Sequence, residues 1–172
     1  EGQEKAYRII GDPTEGALIV AAAKAGDPRT KLNQKYPRTK EIPFDSVRKR
    51  MVTIHEIDEP GPDDISPFDD DSERKHYAIA IKGAPDIVLT LCSSYQSMDD
   101  KPLPLSAEMK AKILAANDEM TESALRVLGV AYRVVSVLPE EIDSDELEKD
   151  MVFVGLIGMI DPARKEVQPA LE

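Results

Sequence analysis

The chain has 172 residues, with 22 Lys and Arg against 33 Asp and Glu, giving a formal net charge of −11. At this length a single domain is the expected count, and 41% hydrophobic residues suffice for its core. The acidic balance repels nucleic-acid phosphates and anionic headgroups, so no nucleic acid is expected as a partner. The longest apolar run, Met151 to Ile160, has ten residues, half of the roughly 20 that a membrane helix needs, so no membrane segment is expected. Cys92 is the single cysteine and leaves no internal disulfide. Glu1 stands where an initiator Met would be, which reads as a piece of a longer protein.

Asp12-Pro13-Thr14-Glu15 combines an N-cap acid, Pro at the first helical position and Glu at the third, and Gly26 closes the apolar stretch that follows, which predicts a helix over 13–25. A surface connection with one short helix is expected from Asp27 to Thr39. Glu41 to Asp45 and Met51 to Ile57 read as two antiparallel strands around the basic turn Ser46 to Arg50. The acidic, proline-bearing stretch between Glu56 and His76 reads as a loop inserted between strands.

Tyr77 to Lys82, then Gly83-Ala84-Pro85, then Asp86 to Leu91 predict strand, tight turn and helix. Ser106 caps a segment whose apolar positions Met109, Ile113, Ala116, Met120 and Ala124 line one helical face. Leu125 to Val135 and Met151 to Gly158 are strand-like, joined by an acidic connection from Glu140 to Asp150. Strands and helices mix without regular alternation, so the expected class is α/β (α+β), a mostly antiparallel twisted sheet flanked by helices.

Several chemistries fail on residue types. Gly11 to Gly16 has the glycine spacing of a mononucleotide phosphate loop, but Ala17-Leu18 replace Lys-Ser/Thr, and Asp12 and Glu15 would repel phosphate. His55 and His76 stand apart in sequence without a cysteine nearby, so no zinc spacing exists and no metal site is expected. Cys92 has no identifiable His and acid partner, so no hydrolytic triad is expected. What remains is Phe44 just before Arg48-Lys49-Arg50, with Lys82 ending one strand and Arg126 opening another. This is either a stacking platform beside cations, suited to a nucleotide, or a core phenylalanine beside a solvated turn.

Four segments bear on that choice: Gly11 to Leu18 (Gly-Asp-Pro-Thr-Glu-Gly-Ala-Leu), Phe44 to Met51 (Phe-Asp-Ser-Val-Arg-Lys-Arg-Met), Lys82 to Asp86 (Lys-Gly-Ala-Pro-Asp) and Asp161 to Arg164 (Asp-Pro-Ala-Arg). In order and spacing they resemble the nucleotide-binding domain of P-type cation-transporting ATPases, most like bacterial pumps similar to calcium pumps. The resemblance implies ATP, with Mg²⁺, as ligand. Phe44 would stack on adenine, Glu15 would lie by its amino group, Lys82 would line the deep end of the pocket, and Gly83 and Ala84 would form a wall without bulk. Lys49 and Arg126 would reach the phosphates, with Arg48, Arg50 and Arg164 as additional contacts.

By the same resemblance residues 1–160 form the nucleotide-binding domain, and 161–172 begin the return to a phosphorylation domain through a hinge at Asp161 and Pro162. Partners would be the phosphorylation and actuator domains of one full-length chain, and the fragment would be a monomeric cytosolic part of an integral protein of a bacterial plasma membrane. Three departures stand out. Ser46 occupies a position where calcium pumps often carry arginine, Ala163 replaces the second proline of Asp-Pro-Pro-Arg, and the only Asp-Lys, Asp100-Lys101, continues with Pro102-Leu103 instead of Thr-Gly-Thr. The phosphorylated aspartate is therefore expected outside the chain, with no catalytic residue inside it, so the fragment would bind ATP without turning it over while the full pump moves a cation, calcium by resemblance. The rival reading is a regulatory or adaptor module of the same fold that has lost nucleotide binding and contacts a partner through its acidic loop, Asp58 to Glu73.

Overall fold

The computed structural model describes residues 12–24, 26, 29–57, 76–99, 101–138 and 144–160. The inserted acidic loop, Gly11 and the segment from Asp161 onward lie outside them. The chain divides into two compact units, Glu1–Pro37 and Arg38–Glu172.

In the first unit, α1 (Pro13–Lys24) begins where the capping signal places it: the Asp12 carboxylate accepts from the Thr14 amide at 2.6 Å, and the Asp12 carbonyl takes the first helical bond, from Gly16, at 3.1 Å. Gly26, at φ +98°, turns the chain off the helix in a conformation that costs glycine little. The one short helix expected in the connection is α2 (Arg29–Lys35).

Among the described residues the second unit is built on one seven-stranded sheet. Its strands are β1 (Arg38–Asp45), β2 (Arg50–Ile57), β3 (His76–Gly83), β4 (Cys92–Gln96), β5 (Pro102–Pro104), β6 (Arg126–Val135) and β7 (Met151–Met159), in the order β1-β2-β3-β6-β7-β4-β5. Every pair is antiparallel except β4 with β7. That exception follows from α3 (Pro85–Thr90), which carries the chain from β3 past the places later taken by β6 and β7. β4 and β5 have no alternation that would betray them in the sequence. The prolines of β5 are tolerated because it is the sheet's edge.

Strand register sorts the side chains into two faces. Val52, Ile81 and Ala131 align across β2, β3 and β6, as do Ile54 and Ile79, and all are buried. Against this face pack Val88 and Leu89 of α3, Leu147 of α5 (Ser144–Leu147), and Met151 and Phe153 of β7. Gly129 lies on the same face, where a Cβ would sit 3.0 Å from the Pro85 Cα, so its lack of a side chain lets α3 come close. The opposite face carries Met51, Lys82, Val130 and, further along β6, Leu128 and Arg126.

Ser106 caps α4 (Ala107–Glu122) as expected, its hydroxyl accepting from the Met109 amide at 3.1 Å. The apolar stripe is shallower than its spacing implies. Met109, Ile113 and Met120 are half-buried, Ala116 is exposed, and Ala124 lies beyond the helix end. The ending is a Schellman arrangement, with Leu125 donating to the Met120 carbonyl (3.1 Å) and Ala124 to that of Thr121 (2.9 Å). Met120 and Leu125 meet over Gly158. This turn holds Ala124 at φ +58°, where a Cβ is unfavourable. Ala124→Gly is expected to stabilise the chain by about 1 kcal/mol, a rise of roughly 2–4 °C in Tm. An unchanged or lower melt in scanning calorimetry would refute this.

Candidate functional site

At one end of the sheet, β1 runs into β2 through the turn Asp45 to Arg50. Asp45 shapes this turn. Its side chain accepts from the amides of Val47 (2.8 Å) and Arg48 (2.7 Å), and its carbonyl accepts from Lys49 (2.6 Å). Lys49 takes a left-handed conformation, φ +53°, and its side chain is exposed. The Lys49 carbonyl accepts from the Ala84 amide at 3.0 Å, joining the turn to the end of β3.

That junction explains Gly83. A Cβ there would lie 2.5 Å from the Lys49 carbonyl oxygen, 2.7 Å from the Arg50 Cβ and 2.9 Å from its Cα. The glycine is required by close approach of two backbones. Gly83-Ala84 is thus pressed against the basic turn.

Phe44 settles one of the alternatives left by the sequence: at 62% relative exposure it is not a core residue. β1 gains one residue over β2 between the pairs Ile42↔Val52 and Asp45↔Arg50. Pro43 and Phe44 therefore stand against Met51 in a bulge, a feature that re-aims side chains. Met51 pairs with Lys82, so Phe44, Met51 and Lys82 form a row across β1, β2 and β3, about 10 Å wide at roughly 4.8 Å per strand.

Gly83 pairs with Gly129, and β6 continues three residues further, paired only with β7, to reach Arg126. Arg126 is exposed, on the same face as Lys82, and about 10 Å past the end of β3 at roughly 3.4 Å per residue. The structure thus brings Phe44, Lys49, Lys82, Gly83, Ala84 and Arg126 to one end of one sheet. Glu15 is exposed in the first turn of α1, in the other unit. Asp161, Pro162 and Arg164 lie outside the described residues.

Arg48 and Arg50 are engaged elsewhere. Both pair with Glu148, a carboxylate only 1% exposed: Arg48 through Nη2, and Arg50 through Nε at 2.6 Å and Nη2 at 2.5 Å. Reading the sequence missed Glu148, since nothing local distinguishes it within the acidic connection and its partners lie 98 and 100 residues away.

An open cavity of about 380 Å³ on the helix-bearing side is lined by Arg50, Cys92, Glu148, Lys149 and Asp150 among others, and by none of Phe44, Lys82 and Arg126. Cys92 is 5% exposed, and burial pushes its thiol from 9.0 up to about 12, with Lys110 pulling weakly the other way. A buried neutral thiol is a poor nucleophile. Among the described residues no group of His, Cys, Asp and Glu is arranged to hold a metal ion, and no helix is long and apolar enough to cross a membrane.

A family model described as P-type ATPase, cytoplasmic domain N, matches residues 1–166. The chain is 36% identical over 172 residues to a calcium-transporting ATPase of Listeria monocytogenes, covering 100% of this chain and 17% of that protein. It is 37% identical over 172 residues to a calcium-transporting ATPase of Bacillus subtilis, with the same two coverages. To the cation-transporting ATPase pma1 of a Synechocystis strain it is 33% identical over 165 residues, 96% of this chain and 16% of the relative. The chain therefore spans a small part of the length of the curated relatives it matches.

Gly83→Ala is expected to destabilise the chain by about 1–3 kcal/mol, because backbone has to give way to the new methyl, and to shift the amide resonances of Lys49 and Ala84. A stable variant with those resonances unmoved would show that the close approach is dispensable. The folded Cys92 thiol keeps its proton between its unfolded value of 9.0 and about 12, so stability falls as pH rises through that window. Cys92→Ala should flatten the decline, as read from urea midpoints at pH 8 and pH 10.5; an equal decline in both chains would assign it to other groups.

Proposed function

The chain belongs to the family of P-type ATPase cytoplasmic N domains, and on that premise we propose that it binds ATP at the sheet end where Phe44, Lys82 and Arg126 gather. The observation that carries the proposal is Phe44: a large apolar ring left 62% exposed, in a row with Lys82 and beside Lys49, in a chain of net charge −11. Stacking a base on such a ring is worth roughly 1–3 kcal/mol. The cations supply what the acidic background withholds, a local positive rim for the phosphates.

In this reading adenine lies on Phe44, Lys82 lines the inner end, the backbone at Gly83 and Ala84 walls the pocket, and Lys49 and Arg126 reach toward the phosphates. Mg²⁺ arrives with the phosphates. Arg48 and Arg50, engaged with Glu148, are assigned to the turn instead of the ligand. The γ-phosphate then passes to an aspartate in a phosphorylation domain outside the chain, to which residues 161–172 return, and an actuator domain completes the cycle. The domain contributes positioning, so the isolated chain binds ATP without turnover.

The full-length protein would be an ATP-driven cation pump of a bacterial plasma membrane with this monomeric domain in the cytosol. Calcium is the proposed ion because relatives at 36% and 37% identity carry that name.

Phe44→Ala is the decisive variant. Calorimetric titration with Mg-ATP should show affinity reduced about 10- to 100-fold, the equivalent of a lost stacking contact. The melt should barely move, because the ring is mostly exposed. A collapsed melt with affinity retained would make Phe44 a packing residue and remove the proposal's support.

A further inference from the structure

Lys49 is the residue of the basic turn whose conformation most needs explaining. A lysine at φ +53° sits in a region that disfavours a Cβ, and such a conformation persists only where its surroundings over-determine it. The surroundings do so. The Lys49 amide donates to Asp45, its carbonyl accepts from Ala84, and the preceding carbonyl, of Arg48, accepts from Arg50 Nη1 at 3.3 Å. The arginines on either side both end on Glu148, Arg48 at Oε1 and Arg50 at Oε2.

Glu148 is itself on a fixed segment. Arg133 Nη1 donates to the carbonyls of Glu146 and Lys149, each at 3.1 Å, and the Met151 amide donates to Leu91 at 3.0 Å. A buried carboxylate with two arginines is weak evidence of net stabilisation, because desolvation offsets much of the attraction. What such a group does supply is geometry. Two of the turn's three cations are drawn to the helix-bearing side and share one carboxylate there, and the third, Lys49, is left exposed between them.

We propose that Glu148 is a positioning residue for nucleotide binding: by clamping Arg48 and Arg50 it holds the turn that presents Lys49 to the phosphates. The inference rests on the ATP-binding reading above. Phosphate binding depends on the clamp, whereas stacking on the ring depends on it much less.

The test compares the unaltered chain with Glu148→Gln, which keeps the side-chain shape and removes the charge, by calorimetric titration with Mg-ATP and with adenosine, well below both melting temperatures. ATP is expected to bind about tenfold more weakly, the scale of one hydrogen bond to a charged group, with adenosine affinity unchanged. The Lys49 and Ala84 amide resonances should move in the absence of ligand. Should Glu148→Gln not fold, Glu148→Asp decides: it keeps the charge but reaches one methylene less, and should show a smaller loss confined to ATP. A lowered melt with ATP affinity equal or improved, as when freed arginines turn to the phosphates, would overturn the inference and leave Glu148 a residue of the fold alone. Absence of saturable ATP binding by the unaltered chain would instead overturn the reading on which it rests, and the inference with it.

Discussion

The end of the β2–β3 hairpin is the constraint on which the candidate site depends. Gly83 brings the end of β3 so close to the basic turn that a single methyl would overlap the Lys49 carbonyl and Arg50. Because of that approach the Ala84 amide can bond to Lys49, and the turn becomes part of the sheet instead of a loop beyond it. Two sequence segments more than thirty residues apart are thereby made one surface. The order of the strands then extends it, since β6 pairs with β3 up to Gly129 and overhangs to deliver Arg126.

Charge is organised around this end in two layers. On the helix-bearing face, Glu148 takes up Arg48 and Arg50 in a partly buried cluster. On the opposite face stand Lys82 and Arg126, with Lys49 exposed at the turn. A net charge of −11 would by itself repel an anionic ligand. Lys49, Lys82 and Arg126 group cations where the sheet ends, which opposes that field locally. The thiol of Cys92 is buried and held neutral, which makes it a poor nucleophile.

Much of the fold was legible because its signals are local. Asp12, Pro13 and Gly26 bracket α1, Ser106 starts α4, and the β-branched runs of β2, β3, β6 and β7 announce themselves. The elements that escaped are short or lack a period. β4 and β5 are strands only because β7 and an open sheet edge receive them, and α5 is one turn within an acidic stretch. The stripe on α4 was legible in spacing but not in depth, because burial depends on what packs above it, and Ala116 meets nothing that covers it. For the candidate site, the motifs around Phe44 and Lys82 could be read, and with them the resemblance that the family comparison bears out.

By itself the sequence determined the class of fold, the strands on either side of the basic turn, the acidic field and the family, because each of these is written in neighbouring residues or in the order of short motifs. Only the tertiary structure decided that Phe44 is exposed, that Gly83 is a contact between backbones, and that Arg48 and Arg50 belong to Glu148. The physical reason is the same in all three cases. Exposure, close approach and ion pairing are properties of residues distant in the chain, and a buried carboxylate among fifteen other glutamates and seventeen aspartates carries no mark until folding closes the roughly 100 residues that separate it from its arginines.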